Sequence, residues 1–134
     1  MRLSPRDREM LLVHVAADLA KRRLADAEER KRTNADNIDP DNFKLNYPEA
    51  MAIIISYVLE EARLGRQDVP QLECKAAQWL FSDQCMDGVP EMMRDLAVEA
   101  TFPDGTKMVT LQKPIGRRVS VDPVSGSTPQ NARV

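Results

Sequence analysis

Between Asn46 and Gly65 the chain reads NYPEAMAIIISYVLEEARLG. Its apolar positions, Met51, Ile53, Ile54, Ile55, Tyr57, Val58 and Leu59, fall on more than one face of a helix. A helix that is apolar around most of its circumference has to be covered on most sides. A short chain covers one side well, so the pattern predicts an internal core helix and a partner subunit against the rest. Polar signals set its ends. Asn46 is placed to accept from the first free amides, and Glu49 is placed to complete a capping box. Pro48 lies in the first turn, and Gly65 supplies the left-handed closure.

Upstream, Ser4, Pro5 and Asp7 read as N-cap, first helical residue and first-turn acid. The helix they open runs through Met10, Leu11, Leu12, Val15, Ala16, Leu19 and Leu24. Leu12, Val15, Ala16 and Leu19 follow helical spacing and are the stripe expected to face the core helix. His14, among them, is expected to be a packed, hydrogen-bonded side chain and not a ligand. From Lys21 to Asn42 the apolar pattern fades. Pairs such as Asp26–Arg30 and Glu28–Arg32 extend the helix, and Ile38 is the only sizeable apolar residue of the second half. The pattern predicts a helix that frays into a long exposed loop. The cluster Arg30, Lys31, Arg32 reads as a solvated face.

After Gly65, Asp68 caps a shorter helix whose Leu72, Ala76, Trp79 and Leu80 are expected to pack inward. Phe81 to Asp83 marks a break. A helical turn over Gln84 to Asp87 is expected to stop at Gly88, and Val89-Pro90-Glu91 begins another through Met92 and Met93. The period then shifts to two. Leu96 to Phe102 and Thr106 to Leu111 are strand candidates, joined by the turn residues Pro103, Asp104 and Gly105. A lone hairpin is marginal in water, so it must lie on the helices or join another chain's sheet. From Gly116 onward the composition is that of a flexible tail, where Val119 and Val121 alternate and suit a short strand beside a partner's edge. The predicted fold is α+β: three to four helices in a small bundle, then a C-terminal β-hairpin.

Composition narrows the function more than the fold. The 134 residues are one domain's worth, 43% hydrophobic but only 4% aromatic, so aliphatic side chains must build the core. With 19 basic and 21 acidic residues the net charge is −2, which argues against nucleic acid as the main partner. No apolar run suits a membrane span and the N-terminus lacks a signal-peptide core. The expected compartment is the cytoplasm, with Cys74 and Cys85 reduced.

Catalytic groups are sparse. One histidine cannot supply a hydrolytic metal centre, and Cys74 and Cys85 lack the spacing of a metal pair. Glycine-rich phosphate loops and nucleophile elbows are missing. Asp87 and Glu91 flank Gly88-Val89-Pro90, but without a neighbouring base or nucleophile helix-end electrostatics accounts for them better. No catalytic, cofactor-binding or metal residue is expected on this chain.

Three blocks resemble the gamma subunit of bacterial urease: LNYPEAMAIII…EEARLGR at Leu45 to Arg66, MDGVPEM at Met86 to Met92, and VEATFPDGTKMVTLQKPI at Val98 to Ile115. The opening Leu3 to Leu24 is similar to that family's first helix. The resemblance implies an α+β subunit that assembles with beta and alpha subunits, and with further gamma copies, in a threefold unit. It implies that the complex hydrolyses urea to ammonia and carbamate at a two-nickel site whose ligands belong to the alpha subunit. Residues 1–115 would then be the gamma-like domain, with an inserted loop at about 25–43, and 116–134 a flexible tail. The side chains expected to pack against other subunits are Tyr47, Met51, Ile54, Val58, Phe102 and Met108. The segment LECKAAQWLFSDQC is a weak match to the family. The competing expectation is a stand-alone gamma-like interaction module without urease activity.

Overall fold

A computed structural model describes residues 1–33 and 37–118. Helix α1 spans Pro5–Thr33 and α2 spans Tyr47–Leu64. Helix α3 spans Val69–Ala76 and a single turn, α4, spans Val89–Met92. The strands are β1 (Leu80–Phe81), β2 (Asp95–Phe102), β3 (Gly105–Gln112) and β4 (Ile115–Gly116). Helices followed by an antiparallel strand pair make this the expected α+β architecture.

Local signals set the helix ends. Ser4 Oγ accepts from the Asp7 amide and Asp7 Oδ2 accepts from the Ser4 amide, both at 3.1 Å, which opens α1. Asn46 and Glu49 close the capping box of α2 at 3.0 and 3.2 Å. Asp68 and Gln71 do the same for α3 at 2.9 and 3.1 Å. Gly65 ends α2 at φ 66°, in the left-handed region. Each box satisfies amides that the helix leaves without partners.

Helix α1 packs on α2 with a face other than the expected one. Ala17, Ala20 and Ala27 are buried and Met10, Val13 and Leu24 are half-buried against the core. These six recur at alternating intervals of three and four, the seam spacing of packed helices. Small alanines let the two backbones approach closely. Leu12, Val15, Ala16 and Leu19, expected inside, are exposed. Two polar contacts fix the pairing: His14 Nδ1 and Ser56 Oγ lie 2.8 Å apart, and Arg23 meets Glu49 in an ion pair. His14 is thus the hydrogen-bonded packing residue that the sequence suggests.

Helix α1 continues to Thr33, as the charge pairs suggest, so the first part of the stretch expected as an inserted loop at about 25–43 is helical. The remainder of the 25–43 stretch includes a 3₁₀ turn at Pro40–Phe43, capped by Asp39. Its Phe43 lies under the Arg30 guanidinium, 5.4 Å from the ring centroid. Of the charge pairs near the helix end, Glu28 meets Lys31 at 3.8 Å, one residue short of the expected Arg32.

The core sits between α2 and the hairpin. Of the apolar residues named on α2, Ile53, Ile54, Val58 and Leu59 are buried by this chain alone, and Met51, Ile55 and Tyr57 are half-buried. Strands β2 and β3 pair antiparallel, with Val98 opposite Val109 and Phe102 opposite Gly105. Pro103 and Asp104 form the connection, and Gly105 sits at φ 137°. Val98, Ala100 and Phe102 of β2 and Val109 and Leu111 of β3 are buried at every second position. The hairpin therefore lies on the helices, the first of the two expected arrangements.

Two pairings are invisible in the sequence pattern. β1 runs parallel to β4, with Leu80 opposite Ile115 and Phe81 opposite Gly116. A second tie joins Leu45 to Cys85, through Leu45 N–H to Gln84 O and Met86 N–H to Leu45 O, each 2.8 Å. The expected helical turn over Gln84 to Asp87 is replaced by this tie and by a 3₁₀ turn at Ser82–Gln84. Helix α3 ends at Ala76, so Leu72, Ala76 and Leu80 are buried but Trp79 is not. It stacks on Tyr57 instead, with ring centroids 4.3 Å apart. The strand considered at Val119 and Val121 lies outside the described residues.

Candidate subunit interface

The surface of α1 carries the strongest feature. Leu11, Leu12, Val15 and Leu19 are 51%, 68%, 65% and 58% exposed. Their spacing puts them on the side of α1 turned away from the alanine seam. Scattered single apolar residues on a surface need no explanation, whereas a run of four on one helix marks an interaction face. The sequence had singled out three of these positions for a different partner, namely α2.

The side chains expected to pack against other subunits divide. Ile54 and Val58 are fully buried and Phe102 is 5% exposed, all within this chain's own core. They have no surface left to offer, because α1, α3 and the hairpin already cover α2. Tyr47 and Met51 are half-buried and retain some surface. Met108, on the outer face of β3 opposite Glu99, is 56% exposed. Exposed Trp79 and its partner Tyr57 add an aromatic edge that the sequence placed inside.

Among the described residues no three His, Cys, Asp or Glu side chains gather in a way that would hold a metal ion. The single histidine is engaged with Ser56. Cys74 is exposed and Cys85 is buried. Burial pushes the Cys85 thiol up to about 11, with nearby Asp83 adding to the effect. Such a thiol is protonated and unreactive at neutral pH. Asp87 and Glu91 are both exposed. Among the described residues no helix is long and apolar enough to cross a membrane.

Comparison with known proteins gives this surface a context. Residues 1–115 match the family described as urease, gamma subunit. The urease subunit gamma of Streptomyces coelicolor is 44% identical over 115 residues, which span 86% of this chain and 99% of that relative.

Proposed function

The chain belongs to the urease gamma-subunit family, and from that premise we propose that it is a non-catalytic structural subunit of a urease complex. Its partners are the beta and alpha subunits and further gamma copies in a threefold assembly. The complex hydrolyses urea to ammonia and carbamate at a dinuclear nickel site held by the alpha subunit. This chain's part is to bury surface and order its neighbours, in the cytoplasm.

The observation that carries the proposal is the exposed stripe Leu11, Leu12, Val15 and Leu19. Each apolar side chain that an interface fully buries contributes roughly 1.5–3 kcal/mol. Four such residues on a folded helix provide a preformed, low-entropy docking face. The core beneath is complete without them, so packing within this chain does not account for them.

Co-expression of the tagged chain with its flanking reading frames, followed by pull-down and size-exclusion light scattering, tests this. Recovery of a large complex with equal amounts of two other subunits is the expected result. Recovery of the chain alone as a folded small oligomer would favour the stand-alone interaction module.

A further inference from the structure

A second surface stands apart from the α1 face. An open cleft of about 770 Å³ lies between α4, the end of the hairpin and β4. Ser82, Pro90 and Ile115 contribute to its lining, and Arg94, Lys113 and Arg117 border it with Glu91 as the one acid. Three cations against one carboxylate leave a local surplus of two positive charges in a chain whose formal net charge is −2. Among the described residues none of the three cations has an ion-pair partner.

The backbone holds these side chains in place. Lys113 is the one non-glycine residue at positive φ among those described, at 47°. Its amide donates to the Arg94 carbonyl at 2.6 Å, which fixes the two residues across the end of the hairpin. Arg117 follows β4 and lies beyond the family match, which ends at residue 115. It is tethered from both sides. Gly116 pairs with Phe81, and Arg118 meets Asp83 at 2.9 Å with its guanidinium 4.7 Å from the Phe81 ring centroid. The start of the extension is thus docked on the body of the fold and delivers a third cation to the cleft.

We propose that the Arg94–Lys113–Arg117 cleft receives an acidic segment of a partner subunit, carrying Asp or Glu side chains. This rests on the subunit role proposed above. Guanidinium forks match carboxylates bidentately. All three cationic residues are exposed along an open cleft, which suits a polypeptide strand with several carboxylates better than an enclosed small anion. Charges at such a rim set association rate and salt dependence.

The test uses the full chain co-expressed with urease beta and alpha subunits and compares wild type with R94Q/K113Q/R117Q in pull-downs at low and high sodium chloride. The triple variant should recover about tenfold less partner at low salt. Wild-type recovery should fall toward that of the variant as salt rises, and E91Q should recover more partner than wild type. Circular dichroism melts of the variants and the three single glutamine substitutions separate lost binding from lost folding. Equal recovery by wild type and triple variant at both salt concentrations overturns the cleft assignment and leaves the subunit role intact. Failure of the wild-type chain itself to recover the other subunits overturns both.

Discussion

Gly65 and Pro103 meet where the end of α2 touches the hairpin turn. A Cβ on Gly65 would lie 2.6 Å from Pro103 Cγ and 3.0 Å from its Cδ. Gly65 is also at φ 66°, where an L side chain is strained. Both effects act against substitution, and the proline ring is too rigid to yield. Gly65→Ala should cost about 1–3 kcal/mol, seen as a lower urea midpoint for the isolated chain. An unchanged midpoint would mean that the turn does not press on the helix end.

Ile54 is fully buried on α2 inside this chain. Ile54→Ala should therefore destabilise the isolated chain by about 2–5 kcal/mol, and Ile54→Asp by more. Chemical denaturation in the absence of other subunits is the relevant measurement. A residue that served only a subunit interface would leave that curve where it is.

The α1 stripe predicts the opposite pattern. Leu12→Asp with Leu19→Asp changes two side chains that are more than half exposed, so the isolated chain should melt within about 0.5 kcal/mol per site of wild type. Its recovery with the other urease subunits should collapse. Normal assembly by the double variant would remove α1 from the interface.

The cap of α1 carries a pH signature. Hydrogen bonds from Ser4 hold the Asp7 carboxyl below its ordinary value. A carboxylate whose folded value is depressed adds stability above its unfolded value, and that contribution is lost as pH falls through the lower, folded value. Asp7→Asn should flatten this part of the acid titration of α1 helicity, followed by NMR. Identical acid limbs for the two proteins would assign the loss to other carboxylates.

The two thiols should separate kinetically. Cys74 is exposed, whereas Cys85 is 2% exposed with its thiol raised to about 11. At pH 8 an aromatic disulfide reagent should titrate one thiol rapidly, and the second only once denaturant opens the fold. Two equally fast thiols would show that the Leu45–Cys85 tie opens readily.

Several features are legible in the sequence because a few adjacent residues decide them. The Asn46–Glu49 and Asp68–Gln71 boxes, the closure at Gly65 and the Pro103-Asp104-Gly105 connection each depend on hydrogen bonds or φ preferences within about four residues. The alternation from Leu96 to Phe102 likewise predicts which side of β2 is buried. The same kind of information exists for α1, in the Met10, Val13, Ala17, Ala20, Leu24, Ala27 seam. It goes unread because alanine carries little hydrophobic weight beside Leu12, Val15 and Leu19.

The sequence by itself therefore determined where the main helices are capped and where the hairpin turns. Tertiary structure alone decided which face of α1 is inside, because close approach to α2 rewards small residues that no single-helix pattern favours. It also decided the β1–β4 and Leu45–Cys85 pairings. Two-residue strands have no period to read, and their hydrogen bonds form only once distant segments are brought together. The candidate interface follows from the same choice: once alanines take the seam, the leucines of α1 are left to a neighbour.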